Sequence, residues 1–366
     1  MKNSFGTSVI TTLFGESHGE YIGVTIDGLA PGIKIDEAYI KAKLAQRRPQ
    51  GRISTARVEE DDYKIISGAV NGYTTGTPLT VIIPNNNTRS SDYDTLRTLP
   101  RPSHADYTAE CKYHGYQDPR GGGHFSGRIS CALVLVGAIL SSALFAKGIR
   151  IGTHISLLRG VKDRAFENYS DDISSLASAT FPTLSVESGD EMRRKIEAAA
   201  LDGDSVGGVL ETAITGVCAG VGEPWFDSVE SLLSHALFSI PGIKGVEFGA
   251  GFAMSDMLGS EANDAFAVSD GKVITKTNNN GGINGGITNG MPIIFRCAVK
   301  PTPSIFKEQD TVNLKKMENA TLSLSGRHDP AIVHRVRAVV DAVSAIVVAD
   351  MLAQRFGTDY LASEGV

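Results

Sequence analysis

Four histidines of this sequence lie in short polar loops rich in glycine: His18 in GESHG, His104 in RPSHAD, His124 in GGGHFSG and His328 in GRHDP. Imidazole can give or take a proton near neutral pH, and loops at the ends of regular elements are where catalytic groups are usually presented. His114, His154, His235 and His334 lack that setting and read as structural. Arginines attend the same loops. Arg47, Arg48 and Arg52 fall in RRPQGR, Arg120 opens and Arg128 closes RGGGHFSGR, and Arg327 sits in GRHDP. A guanidinium grips carboxylates and phosphates through two parallel bonds. Solvated surface charge is the ordinary fate of an arginine, but arginines flanked by glycine and serine beside histidine in several loops point to an anionic ligand. The clusters Gly121-Gly122-Gly123, Gly281-Gly282 and Gly285-Gly286 allow close backbone approach. The pattern is acid–base chemistry on an anion. There is no HExxH and no CxxC among Cys111, Cys131, Cys218 and Cys297, so no metal is expected. Neither GxGxxG nor GxxxxGK occurs, which leaves a Rossmann or P-loop site unsupported.

These loops need elements to hold them. Asp36 caps a predicted helix running through Gln46, which Pro49 stops; this leaves RRP at its end, where the helix dipole favours cations. Runs rich in β-branched residues predict strands at Gly23 to Ile26, Leu79 to Ile83, Val209 to Ile214 and Ile293 to Val299. Long helices are predicted over Ile129 to Lys147 and Ala331 to Gln354; the first is apolar on every face and must be buried. The two halves match in three places. GESHG (15–19) pairs with GDSVG (203–207), and at the same offset Gly28, Leu29 and Gly32 meet Gly216, Val217 and Gly220. Gly76-Thr77-Pro78-Leu79 pairs with Gly290-Met291-Pro292-Ile293, each opening a strand, and Ser126-Gly127-Arg128 pairs with Ser325-Gly326-Arg327, each preceding a long helix. Three matches in order point to an ancient doubling. The expected fold is α/β (α+β): a β-α-β sandwich with central helices between two mostly antiparallel sheets and an internal pseudo-twofold duplication. A single domain over 1–366 is expected, with halves at roughly 1–180 and 190–366. His18 corresponds to Val206, so the chemistry is expected in one copy of that loop, with Val206 away from the site.

With 42% hydrophobic and 21% charged residues, the chain reads as globular, not disordered. A net charge of −6 argues against nucleic acid as a partner, since such binders carry a basic excess. Residues 129–146 carry no charge and approach the length that spans a bilayer, but they include Ser130, Gly137, Ser141 and Ser142, and the duplicate helix is charged. A buried helix is therefore expected, and no membrane. Scattered cysteines, and an N-terminus without a signal peptide's apolar stretch, lead to the expectation of a cytoplasmic protein.

FGESHG (14–19), RRP (47–49), RPSHAD (101–106), RGGG (120–123), GEP (222–224), KGVEFG (244–249), GGINGG (281–286), KPTPS (300–304) and GRHDP (326–330) run in the order of the chorismate synthase family, which the sequence resembles over nearly its whole length. The resemblance implies a lyase converting 5-enolpyruvylshikimate 3-phosphate to chorismate, the last step of the shikimate pathway to aromatic amino acids. The 3-phosphate leaves and a C6 hydrogen is lost in an anti-1,4-elimination without net redox change. It also implies reduced FMN as cofactor, NADPH only as an indirect source of reducing equivalents, a separate flavin reductase as partner, and a homotetramer. By motif, His18 would protonate the departing phosphate, His104 would sit at the N1 edge of the reduced flavin, and Asp329 would assist flavin N5 in removing the C6 proton. Ser17, Arg47, Arg52, Ser126 and Arg128 would hold the substrate. The flavin would be cradled by His124, Phe125, Ser126, Pro241, Gly242, Gly285, Lys300, Pro301, Thr302, Pro303, Ser304 and Arg327. This chain reads His124-Phe125-Ser126 where many relatives read RSS. The residues taken alone leave two other classes open: a non-catalytic anion binder, and a flavin reductase that consumes NADPH.

Overall fold

A computed structural model describes residues 2–49, 51–54, 61–86, 98–324, 326 and 328–362, with Arg52 described in its backbone only. Two five-stranded antiparallel sheets frame the chain. In the first, the strands Ser4–Phe5, Ile10–Gly15, Tyr21–Asp27, Leu79–Pro84 and Lys64–Ser67 lie side by side in that order. In the second the order is Val161–Lys162, Arg150–Leu158, Gly208–Thr215, Ile293–Val299 and Ile243–Phe248. Alternation sets the inner faces: Leu79, Val81 and Ile83 are buried on one sheet, and Ile293, Phe295, Cys297 and Val299 on the other.

The expected helices form with ends shifted by a residue or two. Asp36 accepts a hydrogen bond from Tyr39 N at 3.0 Å and caps the helix Glu37–Arg47, whose Ile40 and Leu44 face the core. Ser130–Ala146 and Val333–Phe356 are the central helices, buried over most of their length. The first is long and apolar enough to cross a membrane by length and composition, but it lies mostly inside the fold. Gly137 marks their closest approach, since a Cβ there would come within 2.8 Å of Ala342 O. The second helix carries the buried charges, and these tie distant segments together. Asp350 accepts from the N–H groups of Ser8 and Val9, both at 2.7 Å. Asp341 accepts from Thr153 Oγ1 at 2.6 Å and pairs with Lys43 at 3.5 Å. Arg337 donates to Leu176 O and Ala179 O at 2.9 and 2.8 Å. Asp341 and Asp350 are thereby satisfied, while the buried Arg337 Nε has no hydrogen-bond partner among the described residues.

Matching positions of the two halves share single hydrogen bonds. Thr74 Oγ1 donates to Ala30 O at 2.6 Å and accepts from Ile33 N at 2.9 Å. Thr288 Oγ1 donates to Cys218 O at 2.7 Å and accepts from Val221 N at 3.0 Å, the same contacts at the matching positions. Gly28 and Gly216 have φ of +82° and +84°, and in each a Cβ would meet the carbonyl of a residue just before the neighbouring strand, Ser8 or Gly148. The central strands Tyr21–Asp27 and Gly208–Thr215 therefore end in equivalent turns.

The helix contact gives a test. Gly137→Ala gains helix propensity worth about 1 kcal/mol, but the added methyl has no room against Ala342. Overpacking of this kind typically costs about 1–3 kcal/mol. Denaturant unfolding should show a net loss in Gly137→Ala that the double variant Gly137→Ala/Ala342→Gly recovers in part.

Candidate active site

Glycine, not a charged group, organises the first corner of the site. Gly121 and Gly122 take φ of +61° and +91°, in a turn that only residues without a Cβ enter at low cost. A Cβ on Gly121 would strike the His18 ring and come within 2.9 Å of Ser17 Oγ; one on Gly122 would lie 3.6 Å from His104 Cε1 and 3.9 Å from Ser126 Cβ. Each of the two adjacent glycines thus has one imidazole beside it. Ser17 N donates to Gly123 O at 3.1 Å, which fixes GESHG against the glycines. His124 Nδ1 bonds Gly15 O at 2.7 Å, so this ring braces the same loop, and Phe125 packs edge-on against Tyr113 with centroids 6.0 Å apart. A cavity of about 410 Å³ opens beside the turn, lined by His104, Asp106, Asp118, Gly122 and Phe125 among others. That volume suits a small molecule.

The arginines form the opposite corner. Asp61, fully buried, receives Arg47 Nη2 at 3.1 Å, Arg48 Nε at 3.4 Å and the Arg128 guanidinium. Arg128 Nε also donates to Asn85 Oδ1 at 3.2 Å, and Asn85 Nδ2 donates to Gly19 O at 2.8 Å, back in the GESHG loop. On the other side, Arg335 Nε donates to Arg47 O and its Nη1 to Asp329 Oδ2, both at 2.7 Å.

The remaining loops close a circuit. Pro330 O accepts from Val206 N at 2.8 Å, and Ser205 Oγ donates to Thr302 O at 2.7 Å, so GDSVG joins GRHDP to KPTPS. Lys300 Nζ then donates to Ser103 O at 2.5 Å, next to His104, and Lys300 N donates to Gly242 O at 2.9 Å. Burial, with Lys244 nearby, pushes the Lys300 amine down from its ordinary value. Ser17, His18, Arg47, His104, Ser126, Arg128, Gly242, Lys300, Thr302 and Asp329 therefore sit on one ring of linked loops. Pro301, Pro303 and Ser304 follow Lys300 along the same segment, and Pro241 precedes Gly242. Gly285 lies in the hairpin pairing Ile283 with Thr288, which Val229 N and Gly220 N join through Gly286 O and Thr288 O. The Arg52 side chain and Arg327 lie outside the described residues. Val206 meets the GRHDP loop through its backbone N–H alone, which bonds Pro330 O.

Two hydroxyls on the ring, Ser17 Oγ and Thr302 Oγ1, are buried without a hydrogen-bond partner among the described residues. A bound ligand with acceptor or donor edges would satisfy them. Sequence reasoning missed Asp61, Asn85, Asp106 and Arg335. Asp106 alone left a signal, two residues after His104 in RPSHAD. The Asp106 carboxyl is pushed up by burial, but the hydrogen bonds of Arg101 and His104 and their charges outweigh that and hold it well below the usual carboxylate range.

A family model described as chorismate synthase matches residues 9–353. The chorismate synthase of Thermococcus gammatolerans is 46% identical over 345 residues, covering 94% of this chain and 96% of its own. That of Pyrococcus abyssi is 46% identical over 341 residues, covering 93% and 95%. A solved structure titled "Crystal Structure of Chorismate Synthase" superposes with a TM-score of 0.73 at 25% identity, covering 96% of this chain and 94% of that one.

The glycine turn yields a prediction. Gly121→Ala should displace the His18 ring and lower turnover about 100-fold, the cost that small misplacements of reacting groups commonly carry. The left-handed φ should cost the fold only about 1–2 kcal/mol. Steady-state kinetics beside denaturant unfolding separate the two effects, and turnover at the wild-type rate would show that His18 is not held there.

Proposed function

The chain belongs to the chorismate synthase family, and from that premise we propose how its ring of loops carries the family's reaction. The reaction is the lyase step that ends the shikimate pathway to aromatic amino acids: loss of phosphate from 5-enolpyruvylshikimate 3-phosphate gives chorismate. The family uses a flavin; reduced FMN is the form proposed here, with NADPH acting only as a distant electron source. When bound, it lends electron density to the substrate and recovers it, so no net oxidation occurs. The residues fit such a group. Thr302 Oγ1 is a buried hydroxyl in want of a partner, the cavity beside His104 has room, and Lys300 offers a cation to a phosphate.

One observation carries the assignment: His18 and His104 flank a two-glycine turn on a ring that also holds the Arg47–Asp61–Arg128 cluster and Asp329. A substrate with two carboxylates and a phosphate suits arginine forks already oriented by a buried carboxylate. Arg47, Arg128 and, by motif, Arg52 hold the anionic groups, with Ser17 and Ser126 as hydroxyl donors. As the C3–O bond breaks and its electron pair leaves with phosphate, His18 supplies the proton. Asp329, steadied by Arg335, stands at the side from which the C6 proton departs. His104 orients the cofactor. The 300–304 segment, Pro241-Gly242, His124 to Ser126, Gly285 and Arg327 cradle the flavin. The whole chain, 1–366, is read as one unit with halves at roughly 1–180 and 190–366, assembling as a homotetramer in the cytoplasm.

Phosphate release from the enolpyruvyl substrate with reduced FMN tests the reading directly; no release under anaerobic conditions would overturn it. His18→Ala should then lower turnover by roughly 10²–10⁴ while FMN binding persists, as for loss of a general acid. A separate reductase is the proposed partner, because no dinucleotide fingerprint occurs in the sequence. With FMN present, dithionite should support turnover and NADPH alone should not. Equal rates with both would place flavin reduction in this chain itself.

A further inference from the structure

We propose that Asp106 is a positioning residue: its carboxylate, clamped by Arg101, takes the Nδ1–H of His104 and leaves Nε2 as the nitrogen that faces the site. The inference rests on the reading that His104 meets the cofactor. His104 Nδ1 lies 2.6 Å from Asp106 Oδ1, a short charge-assisted contact. Arg101 Nη2 is also close to Nδ1, at 3.0 Å, and would favour the opposite tautomer. Geometry decides between them. Arg101 is already committed to Asp106 through Nε at 2.8 Å, Nη2 at 2.8 Å and its backbone N–H at 3.0 Å. An unprotonated Nδ1 would face a carboxylate oxygen at 2.6 Å with no proton between two acceptors, which is repulsive. With the proton on Nδ1, the carboxylate accepts from both neighbours and every group is satisfied.

The opposite edge of the ring, Cε1 and Nε2, faces Gly122, where a Cβ would lie 3.6 and 3.8 Å away. In the neutral ring Nε2 is then a hydrogen-bond acceptor, and in the imidazolium both nitrogens donate. The other charges around it are Lys300 at the Ser103 carbonyl and Glu110, Asp118 and Lys315 along the cavity. None of these hydrogen-bonds His104 among the described residues.

Long-range proton–nitrogen correlation spectra of flavin-free protein labelled with 15N-histidine read the tautomer, with His104→Gln used to assign the signals. Wild-type His104, when neutral, should show the proton on Nδ1. In Asp106→Asn the side-chain oxygen can still accept from Arg101 while its NH₂ turns to Nδ1, so the proton should move to Nε2. Turnover of this variant should fall about 10–100-fold with KM little changed, as for other groups that orient a working histidine. Asp106→Glu should recover part of that loss. A wild-type proton on Nε2, or an Asp106→Asn spectrum that keeps Nδ1–H, would overturn the proposal. If Asp106→Asn fails to fold, the wild-type spectrum decides alone. Full turnover in His104→Ala would remove the role of His104 in the reaction while leaving the tautomer result standing.

Discussion

The ring of linked loops rests on the contact between two helices that have almost no exposed face. Ser130–Ala146 and Val333–Phe356 meet where Gly137 lets Ala342 approach, with a sheet on either side. Helices buried in this way satisfy their backbones internally, except for the N–H and C=O groups of their first and last turns. Arg128, just before the first helix, and Arg335, in the first turn of the second, both reach the segment around Arg47. The two N-termini therefore converge on one end of the sandwich, where the partial positive charge of each favours an anion. The ring of linked loops gathers at that end, and the second helix holds further buried charge along its length at Arg337, Asp341 and Asp350.

The arginine corner needs its own explanation, since like charges gathered in a partly dry site repel. Asp61 supplies it. A fully buried carboxylate receives Arg47, Arg48 and Arg128, and the forks are oriented before any ligand arrives. Such an arrangement is a poor source of net stability, because desolvation offsets most of the attraction. Its value is preorganisation: an arriving phosphate or carboxylate meets donors that have already lost their rotamer freedom. Asp61 has φ of +54°, an uncommon conformation for a residue other than glycine, so the chain accepts backbone strain to deliver that carboxylate.

Local chemistry made part of this legible in the sequence, and distance hid the rest. Strand alternation, the Asp36 cap and the apolar run at 129–146 are local patterns, and each gave an element close to the one observed. The histidine and arginine loops were visible because glycine and serine beside a charge are unusual in plain surface. Asp61 was invisible, since an aspartate in a run of acidic residues looks like solvated charge until the fold brings Arg128 to it. Arg335 read as one more charge on a long helix, and only the bond to Asp329 reveals it. The Thr74 and Thr288 bridges escaped notice for another reason: the matching glycines beside them drew the alignment, while a threonine satisfying a turn leaves no pattern.

The duplicated frame and the undivided site pull in different directions, and the ring shows how they are reconciled. GESHG carries a histidine, whereas its mirror loop GDSVG carries Val206, which cannot move a proton. The mirror loop nevertheless holds its place, because Val206 N bonds Pro330 O and Ser205 Oγ bonds Thr302 O. These bonds set the mirror loop against GRHDP and the 300–304 segment. Neither half contains a complete circuit: Arg335 and Lys300 come from the second half and bond Arg47 and Ser103 of the first. Asp350 likewise takes N–H groups at Ser8 and Val9, so the second helix also fixes the first sheet's entry. A half cut from the whole would expose one face of its central helix, a long apolar surface that water disfavours. The two similar frames thus depend on each other both to bury their helices and to link the loops of the ring.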